Sequence, residues 1–387
     1  MNHWSQRTEN GKLRTEFMHR LMPGITILEH ELSELRLLVE RQIGILLDCP
    51  NSVLAAHVAE YLEKEELESA SALLDRVRGP EQEPGFLPRF LDGVLNTNTG
   101  FFRHPGAMNA LAQYVVPQLC ARKTDEPATI RIWSAGCATG EEAYSIAMAI
   151  SNAMPNGSGN SAGNGSANAN KDAKSSANRN GNGGVALPCP MQSAKDWSIH
   201  IVGTDLLSSA IQAAERGLYP QSALTGLPPA MIRASFSKIG NGNGGQNAAE
   251  ALKSAANGSS AGQNCGSNGT ANAASNGNSA IPANGNVHLL VKPRLRSLVT
   301  FNTMNLTKPV YIGRFDCIFC MDVLPHLSRS QRNALIERLH LYLEPGGYLF
   351  LSQTEKLCAP NLNFRPEVFD GYTMHRKPLA ASAAYGR

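Results

Sequence analysis

Charge is what this chain of 387 residues is short of: 17% of its residues are charged, where ordinary globular domains carry roughly 25%. Its 35 Lys plus Arg nearly balance 32 Asp plus Glu, for a formal net charge of +3. That balance excludes a nucleic-acid reader relying on a broad basic surface. No apolar run reaches the roughly 18 residues of a membrane-spanning helix. The first residues, Met1 to Thr15, hold Lys12 and Arg14 but no apolar h-region, so no secretory signal is expected there. Eight Cys are spread along the chain without the dense spacing of a disulfide scaffold. A reducing, cytoplasmic location is the expectation. Nor does the first strand-to-helix turn carry the GxGxxG of a dinucleotide site.

Two stretches account for the diluted composition. Residues 155–184 and 240–286 are built mostly of Asn, Gly, Ser and Ala, with almost no aromatic or β-branched side chains. They cannot bury enough surface to offset the entropy of ordering, so both read as flexible insertions in surface loops. Residues 1–25 read as a flexible tail. Residues 26–90 read as a small helical domain. Leu28, Leu32, Leu35 and Val39 share one helix face, and Leu54, Val58, Tyr61 and Leu62 mark a second helix that Asn51 or Ser52 can cap. Leu73, Leu74 and Val77 mark a third. From about residue 91 to 387, strands alternate with helices. TIRIWSAG, SIHIVGTD, VTFNTMNL, FDCIFCMDV and GYLFLSQTE supply the strands, which predicts βαβ units and a parallel, doubly wound α/β sheet. Val287 to Phe301 reads as antiparallel hairpin material within that domain.

In such sheets ligands sit at the carboxyl ends of the strands. The first turn reads Ala135-Gly136-Cys137-Ala138-Thr139-Gly140-Glu141-Glu142, with small residues that allow a close backbone approach. Two carboxylates then open the helix, where a dinucleotide fold places a phosphate. They would repel a pyrophosphate and suit a ligand with positive charge and no phosphate. S-adenosyl-L-methionine, with its ammonium, sulfonium and ribose, has those properties. The plainer alternative is that the two Glu complement the helix dipole. Asp205, ending the second strand, is placed to accept from ribose hydroxyls, to cap the next helix, or both. Phe101 and Phe102 set an aromatic surface beside the cation of Arg103. Cys317 and Cys320 form a CxxC, but residues i and i+3 of a strand face opposite sides, so no metal site is expected.

Together the blocks TGFFR, SAGCATGEEAYSIAM, TDLLSSAIQAAERGLYP, FNTMNL, FDCIFC and LEPGGYLFLSQTE resemble the CheR family, the S-adenosylmethionine-dependent methyltransferases that esterify glutamates on bacterial chemoreceptors. The resemblance implies a helical N-terminal domain and a Rossmann-like methyltransferase domain. It also implies an inserted antiparallel β-subdomain at about 220–300, which docks a receptor-tail peptide in some members. It implies cofactor contacts from Thr97, Thr99, Arg103, Glu142, Asp205, Asn305, Leu306 and the block Cys320, Met321 and Asp322. By their own chemistry, Arg103 can orient a carboxylate and His326 can hold the acceptor group or act as a base, or be a plain loop histidine after Pro325. Three departures stand out. The family reads Cys-Arg-Asn-Val where this chain reads Cys320-Met321-Asp322-Val323, and Tyr-Phe where it reads His326-Leu327. The second helix, rich in Arg and Lys in receptor-methylating members, is here neutral or acidic. Lys292, Arg294 and Arg296 offer positive charge in the β-subdomain instead. The expected partner is a protein substrate, a chemoreceptor or a related signalling protein. A methyltransferase for another acceptor and a non-catalytic signalling adaptor of the same fold remain the alternatives.

Overall fold

A computed structural model describes residues 27–79, 86–95, 99–123, 128–153, 197–239, 287–357 and 361–379. The expected tail, both Asn/Gly/Ser-rich tracts and Thr97 lie outside the described residues.

The chain opens with α1 (Glu29–Ile43), α2 (Asn51–Lys64), α3 (Ala70–Arg78) and the short α4 (Phe86–Leu91). Leu32, Leu35, Val39 and Ile43 of α1 are buried against Leu54, Val58, Tyr61 and Leu62 of α2 and Leu73, Leu74 and Val77 of α3. Leu28 departs from this face. It stands at the helix N-cap, 47% exposed, and its N–H donates to the Glu31 carboxylate. The capping expected from Asn51 or Ser52 is also not made. Pro50 precedes the first turn of α2, and the Asn51 amide oxygen accepts from Arg36 instead. Ser69 caps α3 through the N–H of Ala72. Leu207 and Ala210, from a helix far along the chain, complete this helical core.

Next comes a helical stretch, α5 (Pro105–Ala110) and α6 (Val116–Arg122), joined by a π-helical turn, Leu111–Val115. Pro117 explains the wide turn. It has no N–H for the carbonyl four residues back, and its ring crowds that carbonyl.

The main sheet has the order β6-β2-β1-β7-β8-β10-β9. Its strands are β1 (Ala128–Ala135), β2 (Trp197–Asp205), β6 (Val299–Thr303), β7 (Phe315–Phe319), β8 (Leu343–Phe350), β9 (Arg365–Phe369) and β10 (Tyr372–Arg376). The first five pair in parallel, and β10 and β9 add an antiparallel edge. Helices α7 (Glu141–Ala153), α8 (Ser208–Arg216) and α11 (Arg329–Tyr342) supply the crossovers. β7 is buried along its whole length, as a central parallel strand should be. Cys317 within it and Cys320 just beyond its end divide as an extended chain demands. Cys317 lies in the core under α7 and Cys320 in the core under α11. Burial pushes both thiols well above the ordinary range, and no metal-binding cluster is present among the described residues. No described helix is long and apolar enough to cross a membrane.

A second sheet, β3-β5-β4, is antiparallel and is made of β3 (Leu218–Pro220), β4 (Phe236–Ile239) and β5 (His288–Val291), with α9 (Pro229–Ser235) before β4. The expected hairpin over Val287 to Phe301 is therefore not a hairpin. The helical turn α10 (Pro293–Arg296) divides the segment, giving β5 to the small sheet and β6 to the edge of the large one. Pro293 starts that turn by supplying the fixed φ of a first helical residue. The strands expected at Phe315 to Val323 and Gly347 to Glu355 both stop early, at Phe319 and Phe350, and the loops that leave their ends belong to the site.

Candidate functional site

The neighbours of β1 are β2 and β7, so the chain changes direction across the sheet at β1, the place where open sheets leave a crevice. A cleft lies there at the carboxyl ends of the strands. Its walls come from the turns after β1 (Gly136, Ala138), β2 (Asp205, Leu207), β6 (Asn305, Leu306) and β7 (Met321, Asp322, His326). Glu142, Thr99, Phe102 and Arg103 close it. The expected site residues that the structure describes border one space, with one exception: Cys320 does not reach the cleft but is buried in the core under α11.

The turn after β1 is shaped by backbone, with Gly136, Ala138 and Gly140 all at positive φ. The N–H groups of Gly136 and Cys137 both donate to the Thr204 carbonyl, at 2.8 and 2.9 Å. Gly140 serves packing rather than a ligand. A Cβ there would sit 2.7 Å from the Cβ of Ala214 on α8. Asp205 reaches into the same turn. Its Oδ2 accepts from Ala138 N–H at 2.9 Å and its Oδ1 from Leu207 N–H at 3.0 Å. It thus holds the turn and fixes the approach to α8. The N-cap of α8 is Leu207, with no side-chain cap, so of the two roles expected of Asp205 the capping one is not made. Each Asp205 oxygen keeps a lone pair for a further donor. Burial raises its pKa, with these two bonds working against the rise.

The carboxylates that open α7 part company. One helical step turns Glu141 away from the cleft, where it is buried and accepts from Thr139 Oγ1 at 2.7 Å. Glu142 faces the cleft and accepts from Ser134 Oγ at 2.6 Å. Desolvation pushes Glu142 up to about 7, against the opposing pull of the Ser134 hydroxyl and of His104. A carboxyl in this state is poised to ionise when a positive charge enters.

Phe102 adopts φ +51, a left-handed conformation that bulky residues rarely take, and its N–H donates to Ser145 Oγ at 2.9 Å. That kink sends the neighbours in different directions. Phe101 packs edge-on against Tyr219 and Phe236 of the small sheet. Arg103 turns to the mouth of the cleft, where it is 44% exposed and meets Asp322 Oδ2 at 3.3 Å. His104 Nε2 meets the same oxygen at 2.9 Å. Asp322 also has positive φ, +58, a conformation that aspartate tolerates better than most residues. Sequence reasoning missed His104. It also missed Glu355, whose carboxylate gathers the N–H groups of Ser352, Asp322 and Leu324 at 2.9, 3.2 and 3.0 Å and so shapes the loop after β7. The only local signal for Glu355 was its place just beyond a strand end.

The His104–Asp322 pair has a definite pH signature. The Asp322 hydrogen bond raises the His104 pKa, and the His104 bond lowers that of Asp322. A raised histidine contributes stability below its unfolded pKa of about 6.5 and loses it as pH rises through the folded value. The carboxylate's contribution persists down to its own lowered pKa. His104→Ala is therefore expected to lower the melting temperature at pH 5.5 by several degrees more than at pH 8.5. Equal losses at both pH values in paired thermal melts would show that the pair is not ionic.

The helical unit supplies the remaining wall. Gly44 caps α1 in the left-handed region, and the chain then runs along the cleft. Asn305 Nδ2 and Thr307 Oγ1 both donate to the Ile43 carbonyl, while the Asn305 oxygen accepts from the Thr307 N–H and lies 2.8 Å from its hydroxyl. The Asn305 side chain thus braces the loop, and the loop, with Leu306, lines the cleft. On the other side, Leu46 N–H donates to the His326 carbonyl at 2.8 Å, and Ile45 bridges Leu327. His326 ends a 3-10 turn, Leu324–His326, with its side chain exposed at the rim.

The donor set fits a nucleoside carrying a positive charge. Asp205 has lone pairs available for hydroxyls, Glu142 offers a carboxyl that a cation will ionise, and Met321, Leu306 and Phe102 provide apolar surface. Residues 97–162 and 277–370 match the family model described as CheR methyltransferase, SAM binding domain. The chain is 25% identical over 344 residues to chemotaxis protein methyltransferase 1 of Pseudomonas aeruginosa, covering 85% of this chain and 95% of that protein. With the chemotaxis protein methyltransferase of Vibrio parahaemolyticus it shares 26% over 342 residues, covering 87% and 93%. Among solved structures, an rRNA methyltransferase from Streptomyces viridochromogenes aligns over 73% of this chain and 87% of that chain, at 9% identity and a TM-score of 0.33.

Proposed function

Since the chain belongs to the CheR family of S-adenosylmethionine-dependent methyltransferases, we propose that it forms methyl esters on glutamate side chains of a chemoreceptor. The observation that carries this reading is the division of charge along one cleft: carboxyls at its inner end, Glu142 and Asp205, and a half-exposed guanidinium, Arg103, at its mouth.

When bound, the cofactor supplies a methyl group on a positively charged sulfur that leaves as a neutral thioether. Thr99, Glu142, Asp205, Leu306, Met321 and Asp322 would hold it, Asp205 at the ribose and Glu142 toward positive charge. A glutamate acceptor has a reference pKa of about 4.3 and is ionised at neutral pH, so no general base is required. The protein's task is alignment of the attacking oxygen with the methyl carbon and the sulfur. Arg103 is suited to orient a carboxylate through parallel N–H donors, and Asp322 steadies the guanidinium from behind. His326, at the rim, can donate one hydrogen bond to the second acceptor oxygen. Buried apolar side chains such as Met321 and Leu207 keep the inner cleft dry.

The test is incubation with a chemoreceptor cytoplasmic fragment and cofactor labelled in the methyl group. Label on the fragment that alkali releases as methanol supports the reading, and Glu→Ala at the acceptor positions should abolish it. Label that resists alkali would move the transfer to another atom. Cofactor binding without any label would favour the adaptor.

A further inference from the structure

The chain's basic residues are not where an acidic partner would first be sought. Helix α2 has Glu60 and Glu63 beside Lys64, and Glu65, Glu66 and Glu68 come directly after it. In the small-sheet region the cations act as braces. Lys292 Nζ, Arg294 Nη2 and Arg296 Nη2 donate to the carbonyls of Arg233, Ala234 and Glu215, at 2.6, 2.9 and 2.8 Å. Replacing all three would loosen the small sheet as well as remove charge.

A second groove lies on the far side of the turn that carries His326. Pro325, Arg329, Arg332, Asn333, Thr354 and Lys356 line it, between the start of α11 and the segment after β8. The turn is a shared wall: Asp322, Val323 and His326 face the cleft, while Leu324 and Pro325 face the groove. Among the ion pairs of the described residues, none involves Arg329, Arg332 or Lys356. Glu355 also lines the groove, but its carboxylate is turned to the N–H groups of Ser352, Asp322 and Leu324 and pairs with none of the three, so the lining keeps an excess of positive charge. Arg332 has one further duty, donating from Nε to the Leu327 carbonyl at 3.0 Å. Both cleft and groove open at the carboxyl end of the sheet. A polypeptide that places one carboxylate at His326 therefore continues across Pro325 into a basic channel.

We infer that this groove docks the acidic helical face of the protein substrate, holding the carboxylates that flank the acceptor glutamate. The inference rests on the proposed function, in which the acceptor is a glutamate of a protein. The groove supplies the opposite charge that α2 lacks, so partner recognition moves from the helical unit to the rim of the cleft. Rim charges act mainly on encounter and on partner choice.

The experiment reverses the two cations that no backbone contact employs, in Arg329→Glu/Lys356→Glu, and leaves Arg332 alone. The measurements are steady-state methylation of a chemoreceptor cytoplasmic fragment and calorimetric cofactor affinity. The expected result is a fall in kcat/KM of roughly tenfold or more, carried by KM, with cofactor affinity unchanged. The wild-type KM should rise with salt and the variant's should not, because exposed attraction is screened within about 10 Å at 0.1 M. A fragment with Lys in place of the flanking acidic residues should recover rate with the variant. Equal kcat/KM for variant and wild type would overturn the groove and leave the acceptor reading standing. A wild type that binds cofactor and methylates no fragment would overturn the acceptor reading, and the groove with it.

Discussion

Replacing Glu142 with glutamine is expected to give a protein that melts higher at pH 8 and no longer holds its cofactor well. The carboxyl is desolvated in the cleft and titrates near 7, against an ordinary value of 4.5. An acid with a raised folded pKa takes up a proton on folding between those values, so stability falls as pH rises across that window. Above pH 7 the folded protein carries a charge that water would have solvated better. The gap between 4.5 and about 7 sets a ceiling of ~3 kcal/mol on that cost. Glutamine keeps the shape and can still accept from Ser134. The melting temperature should therefore rise by several degrees at pH 8 and change little at pH 5, where the wild-type group is already protonated. Cofactor affinity should drop by roughly a hundredfold at pH 8, the scale of a lost charge-assisted hydrogen bond in a dry site. In the wild type, binding should release a proton near neutrality. Affinity should fall by up to tenfold per pH unit below 7. Binding enthalpies that do not depend on the buffer's ionisation enthalpy at pH 6.5 would show that Glu142 does not meet the cofactor's charge.

Asp205→Ala should be comparably severe, for two reasons that can be separated. Removal of the carboxylate takes away the ribose acceptor, at roughly 1.5–3 kcal/mol of binding. It also leaves the N–H groups of Ala138 and Leu207 without their partner, so the turn after β1 and the chain's approach to α8 both loosen. Asp205→Asn does not restore both, since an amide has one acceptor oxygen for two N–H groups and its NH2 would face a donor. Calorimetry should show weakened cofactor binding in both variants. Hydrogen exchange without cofactor should show faster exchange at Ala138 and Leu207. Native affinity in a folded Asp205→Ala would remove this residue from the site.

The periodic parts of the structure were readable from the chain. Apolar residues recurring every three to four positions located α1, α2 and α3, and short apolar runs located β1, β2 and β7. Both depend on neighbours in sequence. Glu142 and Asp205 stood out for a similar reason, as charged residues where a parallel strand had just ended. His104 gave no such sign, because its partner Asp322 lies 218 positions away. The division of Glu141 from Glu142 was equally hidden, since it depends on which residue of α7 faces the sheet. The Val287 to Phe301 segment misled because Pro293 permits a helical turn where a hairpin bend was expected. Composition cannot say that the two strands on either side join different sheets.

The tie between the helical unit and the cleft bears on how the molecule comes apart. Ile43 and Leu46 hold two loops of the site through main-chain groups, and Leu207 and Ala210 finish the helical core. Each half thus lacks a piece that the other owns. A fragment starting after α4 would leave Asn305 and Thr307 with donors facing no carbonyl, and the 3-10 turn with a carbonyl facing no N–H. A fragment ending at α4 would lack the two buried side chains, Leu207 and Ala210, that complete its core. The protein is therefore expected to melt in a single transition, and deletion of the first helix to weaken cofactor binding; two resolved transitions in calorimetry would show that the halves unfold separately.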